Sequence, residues 1–186
     1  MNVYDWDGTI YKGDSTVDFV FYLYTHYPKT LCNLPRTLFY GLGYALKLTP
    51  KLKFKENLYH MFTYVKDIDK VTDEFTSSHL DHVKKWYLDT QKEDDVVISA
   101  SPEFLISSFC KKVNIHTAMA SRVEKTTGKY NGLNCHGEEK VKRFYERFPG
   151  GVIDEFYSDS LSDTPLAKIS HKAYIVKNND RTEWSL

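Results

Sequence analysis

Residues 1–10 read Met1-Asn2-Val3-Tyr4-Asp5-Trp6-Asp7-Gly8-Thr9-Ile10. A short apolar stretch, Asn2 to Tyr4, runs straight into two carboxylates one residue apart. Mutual repulsion and desolvation both oppose two such charges at the mouth of a buried strand. Asp and Gly are common turn residues, so a solvated turn is one reading of Asp5-Trp6-Asp7-Gly8. The other is that something positive sits there and needs them. The rest of the chain decides between the two.

The chain has 186 residues, enough for one domain with a modest insertion. It is 41% hydrophobic and 27% charged, as expected of a globular protein. With 25 basic and 25 acidic residues the formal charge is zero, which disfavours a general nucleic-acid binder. Cys32, Cys110 and Cys135 are odd in number and widely spaced, which suits a reducing compartment. No signal-peptide pattern is visible and no apolar run reaches the ~20 residues of a membrane span, so a cytoplasmic location is expected. The neutral total hides an asymmetry. From Phe19 to Lys55 there is no Asp or Glu, but there are Lys29, Arg36, Lys47, Lys51, Lys53 and Lys55. Twelve of the 28 aromatic residues lie between Phe19 and Tyr64.

Periodicity and punctuation predict four consecutive helices after the opening turn. Ser15 would cap the first, ending at Pro28; Pro35 would start the second; Thr49-Pro50 would open a third, running to about Lys66. A fourth is expected over about 69–90. Beyond it, Asp95 to Ser99 reads as a buried strand, and Ser101-Pro102-Glu103 as a cap opening a helix. A weaker strand over 115–120, a hairpin turn at Asn131-Gly132, and a helix over 137–148 follow. Glu155 to Ser158 is a strand, 163–170 a helix and 173–177 a final strand. Alternating strands and helices imply an α/β fold: a Rossmann-like, mostly parallel sheet flanked by helices, carrying an inserted four-helix cap. The expected division is a core of residues 1–13 and 90–186, with a helical cap of residues 14–89.

Such sheets bind ligands beyond the carboxyl ends of their strands. That rule selects Asp5, Asp7, Ser99 and Asp159. Asp5, Asp7, Asp159 and Asp163 would bring up to four carboxylates near one point. Hard oxygen donors without Cys or His suit Mg²⁺, which answers the question posed by the first ten residues. One Asp could attack phosphorus, and a second, offset by two residues, could protonate the leaving oxygen and then activate water. Ser99 could donate to a phosphoryl oxygen, and Lys140 could neutralise its charge.

These residues carry a resemblance. Asp5-Trp6-Asp7-Gly8-Thr9 resembles the first motif, DxDxT, of the haloacid dehalogenase superfamily, and Val96-Val97-Ile98-Ser99 its second. Lys140 resembles the third-motif lysine, with Lys142 its competitor, and Asp159-Ser160-Leu161-Ser162-Asp163 resembles the fourth motif. The resemblance implies Asp5 as nucleophile and Asp7 as general acid/base. It implies Mg²⁺ held by Asp5, the Asp7 carbonyl and Asp159, with Asp163 supporting, and Ser99 and Lys140 binding phosphate. The insertion looks like the C1-type helical cap of phosphoserine-phosphatase-like members. Asp14 falls near the residue that contacts substrate there; it also reads as an ordinary first-turn helix acid. No arginine occurs over 53–64, where that subclass would place one, which argues against phosphoserine. The basic, aromatic cap suits a lipid phosphate, such as phosphatidylglycerophosphate, and peripheral contact with the inner face of a membrane. The alternatives are a phosphatase of soluble metabolites, a phosphotransferase, and a non-catalytic phospho-ligand binder on the same core. His79 and His82, three apart on a helix without a third ligand, read as a solvated face.

Overall fold

The computed structural model describes residues 1–185. Its centre is β1, Asn2–Tyr4, short because the carboxylates end it. The sheet has six strands in the order β3-β2-β1-β4-β5-β6. These are β2 (Val96–Pro102), β3 (Thr117–Ser121), β4 (Ile153–Ser158), β5 (Ser170–Lys177) and β6 (Asp180–Glu183). The first five run parallel and β6 returns antiparallel along β5. β1 is therefore flanked on both sides, with Val3 in register with Val96 and Phe156.

Successive strand residues point to opposite faces, and two apolar layers follow from that alternation. Val3, Val96, Ile98 and Phe156 pack with Phe144 and Leu166 on one face. The helices there are α7 (Glu138–Arg147) and α8 (Thr164–Lys168). Tyr4, Val97 and Tyr157 enter the larger layer on the other face. Tyr4, Tyr157 and Tyr174 form a ladder across β1, β4 and β5, each neighbouring pair of rings 4.9 Å apart.

The insertion is helical, as expected, but it is more broken. It comprises α1 (Ser15–His26), α2 (Leu34–Ala45), α3 (Lys51–Tyr59), α4 (Ile68–Ser78) and α5 (Lys85–Thr90). Asp14, not Ser15, caps α1, accepting from the Val17 N–H at 3.0 Å. The third helix ends at Tyr59, and residues 60–64 tighten into a 3₁₀ turn. The expected single helix over 69–90 is interrupted because residues 82–84 pair with the opening turn. The amide of Lys12 donates to the His82 carbonyl and that of Lys84 to the Ile10 carbonyl, both at 2.8 Å. The apolar core also crosses the expected boundary at residue 89: Phe75 lies 5.9 Å from Phe109 of α6 (Glu103–Lys112), and Trp86 6.4 Å from Tyr4.

The β3–α7 connection turns at 124–128, where Gly128 donates to Glu124 at 2.8 Å, and not at Asn131-Gly132. Gly128 has a positive φ and lies against the main chain of Tyr59, which fixes the turn there. Pro102, not Ser101, holds the cap position of α6. The short strand β6 was not foreseen, because its four residues are polar and exposed. No helix among the described residues is long and apolar enough to cross a membrane.

Candidate active site

The carboxyl ends of β1, β2 and β4 open onto a cleft of about 640 Å³. Asp5, Asp7, Asp14, Ser99, Lys140, Asp159 and Asp163 all line it, so the seven side chains singled out from sequence meet at one place. α3 closes the opposite wall with Lys51, Phe54, Lys55 and Leu58.

Asp5 ends β1, its amide donating to the Tyr157 carbonyl at 2.9 Å. Lys140, in the first turn of α7, is buried and donates to Asp5 Oδ1 at 2.8 Å and to Asp163 Oδ2 at 2.7 Å. Ser158 Oγ donates to the same Asp163 oxygen at 2.8 Å. Burial alone would lower the Lys140 pKa, but the charges of Asp5 and Asp163 outweigh it and hold the ammonium above the ordinary lysine range. Burial pushes the Asp5 carboxyl upward even though Lys140 pulls it down. Burial, and then the charge of Asp163, does the same to Asp159. Two buried carboxylates, Asp5 and Asp163, thus share one ammonium, with Asp159 near enough to feel the charge of Asp163.

The opening turn passes close to the end of β4. Thr9 Oγ1 accepts from the Asp159 amide at 2.9 Å. Gly8 has φ +72°, and a Cβ there would fall 2.1 Å from Asp159 Oδ2. A side chain there would displace that carboxylate and strain the positive φ. Lys84 donates to the Gly8 carbonyl and, at 2.6 Å, to that of Asn178, tying the turn to the end of the sheet.

Asp7 faces a different set of partners. Ser15 donates to its Oδ1 through both amide and hydroxyl, each at 2.6 Å. Ser101 Oγ donates to its Oδ2 at 2.5 Å, and Thr16 Oγ1 donates to Ser101 Oγ at 2.8 Å. Burial, followed by the charge of Asp14, raises the Asp7 carboxyl to about 6, while the hydrogen bonds from Ser101 and Ser15 oppose the rise. The four carboxylates line one cleft but do not share one set of partners. The Asp7 carboxylate is committed to two serines, and Asp163 to Lys140 and Ser158. Among the described residues no three His, Cys, Asp or Glu side chains converge to hold a metal ion.

A smaller donor set still fits Mg²⁺. Asp163 Oδ1 is buried without a hydrogen-bond partner, and the carboxylates outnumber the ammonium. Mg²⁺ binds through one or two carboxylates, keeping waters and substrate oxygens for the rest.

Ser99 is buried, and its Oγ accepts from the Ser101 amide at 3.1 Å. Asp14 both caps α1 and lines the cleft, so its two readings are compatible. Sequence reasoning missed Ser101 as a partner of Asp7, because a Ser-Pro pair reads as a helix start. It also left Lys55 undistinguished among the basic residues of the insertion. Lys55 Nζ donates to the Ala100 carbonyl at 3.3 Å, and burial, with the charge of Lys51, lowers its pKa to about 8.

The sequence pattern of haloacid dehalogenase-like hydrolases matches residues 3–168. A probable phosphatase of Mycobacterium tuberculosis (strain ATCC 25618 / H37Rv) is 34% identical over 95 residues. That segment is 47% of this chain and 33% of the relative, so the match spans about a third of the relative's length. A protein of unknown function from Bordetella pertussis Tohama I superposes with a TM-score of 0.76 at 17% identity, over 93% of this chain and 87% of its own. A phosphoserine phosphohydrolase-like protein from Francisella tularensis subsp. tularensis SCHU S4 superposes with a TM-score of 0.52 at 15% identity, over 93% and 86%. At these identities the two structures show a shared fold.

Proposed function

The chain belongs to the haloacid dehalogenase-like hydrolase family, and from that premise we propose that it is a Mg²⁺-dependent phosphomonoesterase acting through an aspartyl-phosphate. The observation that carries the proposal is the pair of unlike aspartates at the end of β1. Asp5 is held by a buried ammonium, and Asp7, two residues on, is held by two serines near neutral pKa. A pure phosphate binder needs no second carboxylate tuned in this way.

An Asp5 carboxylate oxygen attacks phosphorus, and the bond to the leaving oxygen breaks as Asp7 delivers its proton there. Asp7, now ionised, takes a proton from water; the water oxygen attacks phosphorus, and Asp5 is released with inorganic phosphate. A pKa of about 6 lets Asp7 serve in both directions. The Ser99 hydroxyl, which lines the cleft, would donate to a phosphoryl oxygen, and Lys140 would offset charge at the reacting centre. Asp5, Asp159 and the Asp7 main-chain carbonyl would hold Mg²⁺, with Asp163 supporting through its unpartnered Oδ1, and the ion would supply further neutralisation of phosphoryl charge when bound.

The insertion supplies the cap, with α3 reading the leaving group. Its wall is part apolar, through Val17, Phe54 and Leu58, and part cationic, through Lys51 and Lys55. That mixture supports a lipid phosphate such as phosphatidylglycerophosphate; soluble metabolite phosphates are the second reading, supported by the polar floor.

The test is phosphate release from a panel of lipid and soluble phosphomonoesters. Turnover is expected to stop on chelation, to return with Mg²⁺, and to vanish in Asp5→Asn while the fold survives. Substantial turnover by a clean Asp5→Asn preparation would end the nucleophile assignment, and chelator-resistant activity would end the metal's role.

A further inference from the structure

Helix α2 contributes no buried residue to the protein. Its inner side rests on α3: Tyr44 stacks on Phe54 at 5.5 Å, a Cβ on Gly41 would sit 3.4 Å from the same ring, and Lys53 lies over Tyr40 at 5.7 Å. Its outer side is a stripe at helical spacing, Leu34, Leu38, Leu42 and Leu46, joined by Phe39. Leu38 and Leu42 are each 63% exposed, and Phe39 73%. Leu48, in the turn that follows, is 80% exposed. Isolated exposed leucines need no explanation, but a continuous apolar ridge marks an interaction surface.

The charges around the ridge identify what it meets. No acidic residue occurs between Asp18 and Glu56, while Lys29, Arg36, Lys47 and Lys53 fall there; Lys51 and Lys55 of the same stretch line the cleft instead. A second copy of the chain docking through α2 would set these cations against their own equivalents, which opposes association. An anionic bilayer offers apolar chains beneath and negative headgroups around, matching ridge and rim together. At 12 residues α2 is too short to span a bilayer and suited to lying in its interface.

We propose that the Leu34–Leu38–Leu42–Leu46 ridge of α2, with Phe39 and the surrounding lysines and arginine, docks this protein on the surface of an anionic lipid bilayer. Phe54 touches α2 on one side and lines the catalytic cleft on the other. Docking would therefore set the cleft about one helix diameter, ~10 Å, from the headgroups. The inference rests on this exposed surface and is independent of the hydrolytic reading.

The test is co-sedimentation of the full chain with vesicles of phosphatidylcholine alone or of phosphatidylcholine with phosphatidylglycerol, at low and high salt. Binding is expected to rise with phosphatidylglycerol content and to weaken as salt is added. The Leu38→Gln/Leu42→Gln pair, folded by circular dichroism, should lose about tenfold or more in partitioning. Arg36→Glu should weaken binding to the anionic vesicles only. Failure of the unaltered protein to bind anionic vesicles at low salt would overturn the proposal, as would equal binding by the leucine pair. A dimer in light scattering that the leucine pair converts to monomer would overturn it in favour of a second copy of the chain. Each readout is binding or mass, so the result stands apart from whether phosphate is released.

Discussion

Asp7 is where burial and hydrogen bonding oppose each other most directly. Its carboxyl is raised from 3.8 to about 6, chiefly by burial. The folded state therefore prefers the protonated acid. The stability this contributes is complete below about pH 4 and is lost as pH rises through about 6. The span corresponds to at most about 3 kcal/mol. Asp7→Asn is accordingly expected to melt higher than the unaltered protein at pH 8 in chelator, with the gap closing toward pH 4. Thermal melts across that range decide it, and a pH-independent or negative shift would contradict the burial account. The same variant should be inactive, with stability and turnover moving in opposite directions as at other sites that hold strain for function. Asp5, Asp7 and Lys140 were readable in the sequence because they stand just after a strand or at the start of a helix, and Ser99 because it closes the apolar run of β2, although the strand itself continues to Pro102. Ser15, Thr16 and Ser101 were not, because their hydroxyls reach across three segments and such a network has no local pattern.

Among the elements, the loop after β3 is the one that couples insertion to core. Gly128 has φ +72°, and a Cβ there would lie 2.4 Å from the carbonyl carbon and oxygen of Tyr59. Both contacts are main chain and cannot swing aside. Gly128→Ala should therefore cost about 2 kcal/mol or more. Because Tyr59 ends α3, the variant should also raise KM more than it lowers kcat, which steady-state kinetics on the best substrate would show. An unchanged KM with lost stability would confine the role of Gly128 to folding. Helix starts were legible where a proline marks them, at Pro35, Pro50 and Pro102. The interruption between α4 and α5 was not. Residues 79–84 carry no proline or glycine, and the break exists because their main chain is captured by the opening turn. The hairpin was misplaced for a related reason: Asn131-Gly132 has the better local turn chemistry, but packing against Tyr59 selects Gly128.

At the scale of the molecule, the parallel sheet and its site at the strand ends followed from the alternation of elements. The extent of the cap did not. Residues 68–90 are helical like the rest of the insertion, yet Phe75 and Trp86 pack into the layer that covers the sheet. An amphipathic pattern records that a face is buried without recording what buries it. What stands clear of the core is α2 with the start of α3, since Leu58 and Tyr59 already join the core layer; this shorter hairpin carries both the outer leucine ridge and the inner cleft wall.

The last strand, β6, has a consequence for how the protein survives at high concentration. β5 is long, with Ala173 and Val176 buried and Tyr174 and Ile175 half-buried. Without a neighbour it would offer its outer row of amides and carbonyls to any passing strand. β6 takes up that row from Tyr174 to Lys177 with four residues, Asp180-Arg181-Thr182-Glu183, all exposed and three of them charged. Arg181 also lies 4.9 Å over the Trp86 ring, pinning the strand in place. A chain ended at Lys177 should keep its circular dichroism when dilute yet form sheet-rich aggregates as it is concentrated, followed by light scattering and thioflavin fluorescence. If it stays monomeric, the edge is guarded elsewhere. β6 is thus a cover that is itself unattractive to pair with, and it keeps a sheet built for catalysis from becoming a template for fibres.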